Sequence, residues 1–340
     1  MERPLVSAVV LCYNHAAFVR ECLEGIKAQN YSNLEVIIND DASRDRSAEV
    51  IEEWIRENSE IRCKFIRSKS NQGLCRSLNN ALAQTSGKYF CGIAADDVWL
   101  PGKLRRQVAL MERLPDRVGV LYGDAIRINE SGALLPPSFL ETTLRNGNLA
   151  TPPQGDINCE LWRVNFVAPM TTLIRRSCFE RVGVFDESKF AEDWDMWLRL
   201  SRIYDFVYVP EVCAKYRKVQ TSICNAQLDR LLDDENHTCL KHLRSGEMSV
   251  REKVVAADCF YNLAICSYER GTPKHRFNLL QALRHKPSVG LLLRCLLAVG
   301  RVDAKYFQRF RDLTQVRQRR SRLPASAGAA RLRHAKPQTI

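Results

Sequence analysis

The sequence lacks the cysteine pairs and the long apolar runs that mark several protein classes. Its thirteen cysteines are scattered singly, with no CxxC pair and no Cys/His cluster at zinc spacing, which argues against a structural zinc site and favours reduced thiols. The longest apolar run, residues 290–300, is interrupted by Arg294 and is well short of the roughly 20 residues that span a bilayer. The first residues lead directly into a strand pattern and show no secretory signal, so we expect a cytoplasmic protein.

Three nucleotide-binding signatures are also missing. The sequence contains neither GxxxxGKS nor GxxxxGKT, which excludes a P-loop enzyme. No GxGxxG follows the first predicted strand, which argues against a dinucleotide-binding fold. A nucleotidyltransferase, the alternative with a similar sheet and a metal, needs a loop rich in glycine and lysine at that point, where this chain reads CYNHAAF (12–18). A bound nucleotide must therefore be held by other groups.

The net charge of +12 is concentrated at one end of the sequence. Residues 301–340 contain eleven Lys or Arg and two acids, so this segment carries +9 and residues 1–300 carry +3. We predict that 315–340 is a basic, disordered tail, with plain solvation as the default interpretation. Attraction to anionic lipid at the inner face of the cell membrane is the second interpretation. Nucleic-acid binding is the least favoured, because no recognition motif accompanies the charge.

Strand and helix patterns alternate through the first hundred residues. Continuous apolar runs predict strands at 6–13, 34–39, 62–67 and 88–94. Helical periodicity between these runs predicts βαβ units and therefore an α/β fold with a mostly parallel sheet flanked by helices. Acidic or polar turns follow three of the strands, at 13–14, 40–41 and 96–97. The carboxyl ends of such strands are where open α/β sheets bind ligands.

The second half of the chain is less regular. Residues 118–135 predict a strand pair around a glycine turn, and 136–156, with four prolines, predict a loop. From 226 to about 312 the pattern is helical. We therefore divide the chain into a catalytic domain at 1–223, a helical C-terminal region at 224–314 and the basic tail.

Two adjacent carboxylates, Asp96 and Asp97, lie between a buried strand and a predicted helix. Like charges repel each other and are poor material for a packed interior, so a bound cation would explain the pair. Hard oxygen ligands suit Mg²⁺ or Mn²⁺. The alternative is a turn in which Asp97 caps the helix that Pro101 opens.

Several stretches of the chain resemble the family 2 inverting glycosyltransferases of the GT-A fold, in the same order and spacing. They are VSAVVLCYNHAAFVRECLEGIKAQNYSNLEVIINDDASRDRS (6–47), NQGLCRSLNNALAQTSGKYFCGIAADDVWLPGKL (71–104), LIRRSCFERVGVFDE (173–187) and EDWDMWLRL (192–200). The resemblance covers about residues 5–223. It implies transfer of a sugar, with inversion, from a nucleotide-diphospho-sugar to a saccharide or lipid-linked acceptor, in the assembly of a surface polysaccharide. A UDP-sugar is the favoured donor.

The same resemblance implies roles for individual residues on the donor side. The segment ADD (95–97) stands where the family has its DXD-type motif, which binds Mg²⁺ or Mn²⁺ on the donor diphosphate. Asp97 would then be the metal ligand, and Asp96 would face the ribose and support the metal. Tyr13 would lie against the base, for which an aromatic face is a natural platform, and Asp41 would contact the base edge. The alternative for Tyr13 is an aromatic side chain packed into the core.

The catalytic base is expected from the acidic segment AEDWDMW (191–197). A carboxylate within hydrogen-bond reach of the acceptor hydroxyl can take its proton. Family members have the base in the ED pair, so we choose Asp193 and keep Glu192 in reserve. Asp195 lies about 200° further around a helix and is interpreted as structural. The alternative for all three acids is capping of the helix N-terminus.

Two positions depart from the pattern of the family. Many members carry an additional Asp where this chain has Ala94, and many carry a His after the Tyr216–Arg217 pair, where this chain has Lys218. Lys218 would offer a positive charge to the diphosphate instead. The missing His is the reason to keep a different class of function in view, a non-catalytic member that binds a nucleotide sugar or a glycan.

Overall fold

The computed structural model describes residues 3–219 and 227–300. The chain divides into two compact units. The first comprises 1–142, 151–157 and 166–219, and the second comprises 143–150, 158–165 and 220–340. The predicted boundary at 223–224 and the predicted tail at 315–340 lie outside the described residues.

The first unit is built on an eight-stranded, mostly parallel sheet. The strands are β1 Val6–Cys12, β2 Leu34–Asp40, β3 Arg62–Arg67, β4 Tyr89–Ala94, β5 Val98–Trp99, β6 Val118–Asn129, β7 Leu173–Arg175 and β8 Asp205–Lys218. Their order across the sheet is β3-β2-β1-β4-β7-β6-β8-β5. β1 pairs in parallel with β2 and β4, whereas β7 runs antiparallel to β4 and β6. The predicted α/β class with a mostly parallel sheet is confirmed.

Short helices flank this sheet. Those of the first unit are α1 Val19–Lys27, α2 Ser47–Glu57, α3 Leu74–Leu82, α4 Lys103–Met111, α7 Ser177–Val182 and α8 Asp193–Leu200. Between α4 and α7 along the chain, α5 Phe139–Gly147 begins in the first unit and ends in the second, and α6 Asn158–Arg163 belongs to the second. Strand β1 lies at the centre of the core, since Val6, Ala8 and Val10 on one face and Val9 on the other are fully buried. Burial on both faces explains why this strand is a continuous apolar run.

Two local predictions for the second half are wrong. The segment 136–156 is not simply a loop, because α5 lies within it. Prolines on both sides obscured the short helical stretch FLETTLRNG, in which Pro is absent and Gly stands only at the end. The expected strand pair at 118–135 is one long strand, β6, and the returning segment forms only a single bridge between Ile128 and Leu134.

Register brings the ends of three parallel strands to one edge of the sheet. Cys12 of β1 lies opposite Asp40 of β2, and Leu11 lies opposite Ala94 of β4. The pairing continues one residue further on each side: the Asp41 N–H donates to the Cys12 carbonyl at 2.9 Å, and the Ala95 N–H donates to the Leu11 carbonyl at 2.9 Å. The polar residues that follow these strands therefore lie along the same edge.

The second unit is helical. Its long helices are α9 Leu228–Arg244, α10 Val250–Arg270, α11 His275–His285 and α12 Val289–Val299. α10 begins with a capping box, in which Ser249 and Glu252 satisfy each other's backbone N–H, and ends at Gly271 with a left-handed φ of 69°. Among helices in the described ranges, none combines the length and apolarity needed to cross a membrane.

Candidate active site

The two adjacent carboxylates differ in burial: Asp96 is half-buried and Asp97 is buried. Asp97 is buried, and its Oδ1 accepts the backbone N–H of Arg217 at 2.9 Å. Its other oxygen accepts no hydrogen bond from any residue of 3–219 or 227–300. Burial, followed by the neighbouring charge of Asp96, raises the pKa of Asp97 well above its usual range. The capping alternative is wrong, because α4 begins at Lys103 without a side-chain cap.

Arg217 holds the turn that carries these carboxylates. Its buried guanidinium donates from Nε to the Asp96 carbonyl at 2.8 Å and from a terminal nitrogen to the Glu21 carboxylate at 2.5 Å. The other terminal nitrogen donates to the Glu130 carbonyl at 3.1 Å. The guanidinium also lies over the ring of Phe18, 4.8 Å from its centroid. One side chain of β8 thus fastens the turn after β4 to α1 and to the end of β6.

His15 is a site residue that the sequence analysis missed. Its Nε2 lies 3.9 Å from a carboxylate oxygen of Asp96, and its Nδ1 is buried without a hydrogen-bond partner in the described part of the chain. The loop is fixed from both sides: the His15 N–H donates to Ser47 Oγ at 2.9 Å, and Asn14 adopts a left-handed φ of 57°. The only signal in the sequence was the position of His15 just after β1.

The two residues expected on the nucleobase lie at this same edge and differ in exposure. Tyr13 is 38% exposed, so the alternative of core packing is wrong. Asp41 is buried, and its two oxygens accept the backbone N–H groups of Gln72 and Gly73 at 2.8 and 2.9 Å. Gly73 has a φ of 88°, a conformation that favours glycine, and α3 starts directly after it. Asp41 therefore fixes the loop that leads into α3, while each of its oxygens retains an acceptor site.

Helix α3 also supports the segment that leads to the expected catalytic base. Asn79 donates to the Phe185 carbonyl at 2.9 Å and accepts the Phe185 N–H at 2.9 Å. Arg76 pairs with Glu187 at 2.8 Å, and the Cys75 thiol lies 3.4 Å from the Lys189 carbonyl. Asp41 fixes the loop before α3, and α3 in turn holds the residues just before α8.

The three acids at the start of α8 differ in burial and in the groups that they contact. Burial, followed by the charge of Asp193, raises the pKa of Glu192 to about 8. Asp193 Oδ1 accepts the backbone N–H of the next residue, Trp194, at 2.7 Å. Asp195 is buried and forms an ion pair with Arg199 at 2.9 Å. Glu192 stands at the N-cap position without a side-chain capping bond, so the capping alternative is wrong for it.

The raised pKa of Glu192 predicts a pH-dependent stability. Since this pKa rises from 4.5 to about 8 on folding, the folded protein binds the proton more tightly, and the free energy of unfolding falls as pH rises through that window. We expect Glu192→Gln to leave the melting temperature unchanged near about pH 5 and to raise it relative to wild type near about pH 8. Thermal melts of both proteins across this range test the prediction. Parallel curves would contradict it.

The sequence of the chain matches a known protein family. Residues 7–183, just over half of the chain, match the family described as glycosyl transferase family 2. The chain belongs to this family. An uncharacterized glycosyltransferase of Rickettsia typhi is 27% identical over 233 residues, which cover 68% of this chain and 70% of the relative. The prediction of a glycosyltransferase is thereby confirmed.

Solved structures of low sequence identity share the fold of this glycosyltransferase. A mannosyltransferase, PcManGT from Pyrobaculum calidifontis, in complex with GDP-Man and Mn²⁺, superposes with a TM-score of 0.59 at 20% identity, covering 92% of this chain and 84% of that one. S. aureus TarS 1–349 in complex with UDP-GlcNAc gives a TM-score of 0.61 at 16% identity, covering 83% and 82%. These likenesses confirm the predicted GT-A fold.

Proposed function

We propose that this glycosyltransferase depends on Mn²⁺ or Mg²⁺ and transfers a sugar, with inversion, from a nucleotide-diphospho-sugar to a saccharide or lipid-linked acceptor in surface polysaccharide assembly. A UDP-sugar is the favoured donor. The observation that carries the proposal is the Asp96–Asp97 pair at the carboxyl edge of the sheet. One of these adjacent carboxylates is buried and keeps an oxygen without a hydrogen-bond donor in the described part of the chain. The structures of the same fold in complex with GDP-Man and Mn²⁺ and with UDP-GlcNAc support the donor class.

The donor set fits a divalent cation shared with a diphosphate. Within residues 3–219 and 227–300, no three His, Cys, Asp or Glu side chains converge on one point. Mg²⁺ is commonly bound by one or two protein carboxylates together with the phosphates of the substrate. Asp97 would hold the ion, with Asp96 in support. Such an ion neutralises the charge that develops on a leaving diphosphate.

The remaining groups at this edge would hold the nucleoside. The exposed ring of Tyr13 offers a stacking surface for the base. Asp41 would accept a hydrogen bond from the base edge through an oxygen that already anchors the loop before α3. Asp96, the neighbour of the metal ligand, would contact the ribose. In place of the His that many family members carry, Lys218 would offer its ammonium group to the diphosphate.

Asp193 is the group we assign as the base. Burial raises the pKa of Glu192 to about 8, so Glu192 holds its proton at neutral pH and is a poor proton acceptor, which favours its neighbour Asp193 as the base. The acceptor hydroxyl would give its proton to this carboxylate while its oxygen attacks the anomeric carbon from the side opposite the diphosphate. The bond from that carbon to the diphosphate breaks in the same step, which inverts the configuration.

Thermal stabilisation by nucleoside diphosphates tests the proposed donor site. A ligand that binds only the folded protein raises its melting temperature, so UDP with Mn²⁺ is expected to stabilise wild type more than UDP with chelator. Tyr13→Ala should weaken UDP binding by about 5- to 150-fold, the range for loss of one base–aromatic stack. Tyr13→Phe, which keeps the aromatic face, is the matched control. Equal affinity of the Ala and Phe variants would contradict the role of Tyr13, and no response to any nucleoside diphosphate would contradict the donor site.

A further inference from the structure

Helix α12 is apolar on two opposite sides. Its inner side is buried through Leu291, Cys295 and Ala298. On the outer side lie five large apolar residues between 41% and 84% exposed: Val289, Leu292, Leu293, Leu296 and Val299. Their spacing of 3, 4, 7 and 10 residues from the first places them along one side of the helix. We call these five residues the outer stripe of α12. Apolar area gathered along one face in this way marks an interaction surface rather than scattered exposure.

The sequence that flanks the outer stripe carries charged residues of positive sign only. Residues 271–302 contain six Lys or Arg and no Asp or Glu. On α11, which packs on α12, Arg276 and Arg284 are exposed, as is Lys274 just before it. Lys286 is the exception, since it is paired with Asp258 of α10 at 2.6 Å. α11 also exposes the apolar side chains of Phe277 and Leu280.

This charge selects the kind of partner that fits. A second copy of the chain would bring the same cations against themselves. The residues that follow α12, 301–340, carry +9, so this segment is no electrostatic match for the surface either. An anionic lipid surface supplies both the negative charge and the apolar depth that the outer stripe requires.

We propose that α11 and α12 dock on anionic membrane, with the outer stripe of α12 inserted at the level of the lipid headgroups. The helix has 11 residues and is therefore about 16 Å long, which is too short to span the hydrocarbon core and suits a helix that lies in the interface. The exposed arginines of α11 would pair with lipid phosphates. This attachment uses none of the residues assigned to sugar transfer and does not depend on residues 315–340.

Vesicle sedimentation of the full-length chain tests this surface. Wild type is expected to bind phosphatidylcholine–phosphatidylserine vesicles and to bind pure phosphatidylcholine vesicles much less. The double variant Leu292→Gln and Leu296→Gln should lose at least about tenfold in partitioning, because two inserted leucines are replaced by polar groups of good helix propensity. Leu134→Gln, which changes a leucine that is 67% exposed in the first unit, is the matched control and should bind like wild type.

The possible results distinguish a lipid membrane from the other partners that could cover the outer stripe. If the double variant binds anionic vesicles like wild type, the basic segment 301–340 accounts for attachment and the proposal is wrong. If wild type ignores the vesicles and the double variant instead changes the oligomeric state in size-exclusion chromatography, the stripe is an interface between copies, and the proposal is again wrong. An unchanged melting temperature excludes unfolding, and Val289→Gln with Val299→Gln should reproduce the loss independently.

Discussion

Asp193→Asn is expected to lower kcat by about 10²- to 10⁴-fold while nucleotide affinity stays nearly unchanged, since general-base assistance is lost and donor binding is not. The asparagine keeps the shape of the side chain and can still accept the Trp194 N–H that Asp193 Oδ1 accepts. Single-turnover kinetics and UDP binding, measured on the same preparations, separate the two effects.

The neighbouring acids provide the controls for this variant. Asp195→Asn should be mild in turnover and lower the melting temperature, because it weakens the ion pair between the buried Asp195 carboxylate and the half-buried Arg199. If Asp193→Asn keeps near-normal turnover and Glu192→Gln abolishes it, the base is Glu192. If both variants remain active, neither residue is the base, and Asp186 of the segment VFDE (184–187) becomes the next carboxylate to test.

Asp97→Asn should abolish the proposed response of the enzyme to Mn²⁺ or Mg²⁺. The asparagine can still accept the Arg217 N–H that holds the turn, so the fold is expected to persist while the charged oxygen ligand is lost. Loss of one preorganised electrostatic contact to a leaving group typically costs about 10²- to 10³-fold in kcat, and we expect a loss of at least that order. Melting temperatures with UDP should become equal in Mn²⁺ and in chelator.

Glu21→Gln is the matched control for Asp97→Asn. Glu21 touches the same arginine, at 2.5 Å, but is not assigned to the metal. This variant should retain the difference between Mn²⁺ and chelator. If it loses that difference to the same extent as Asp97→Asn, the Arg217 network rather than the ligand charge governs the response, and Asp97 is not the metal ligand.

The first half of the fold could be predicted because its signals are local. Strands buried on both faces appear as uninterrupted apolar runs, and β1 to β4 begin and end within one residue of the predicted bounds. The turns after three of these strands then fall at one edge through sheet register. Helix α5 was missed because flanking prolines dominate its local composition.

The candidate site contains features that no local pattern reveals. Arg217 lies 120 residues from Asp97 along the chain, yet its backbone and side chain hold that turn. Likewise, only the tertiary structure shows that Asp97 does not cap α4 and that Tyr13 is exposed. A carboxylate in a loop looks the same in sequence whether it caps a helix, anchors a backbone or faces a ligand. Its hydrogen-bond partners decide among these roles.

Turnover of the sugar nucleotide is the measurement that tests the central claim most directly. Wild type is incubated with a panel of UDP- and GDP-sugars in Mn²⁺, and the released nucleoside diphosphate is quantified with and without chelator. We predict release from at least one donor, its suppression by chelator, and its loss in both Asp97→Asn and Asp193→Asn. Tight donor binding without any release from wild type, with acceptor glycans present, would contradict the catalytic account and support a protein that only binds the nucleotide sugar.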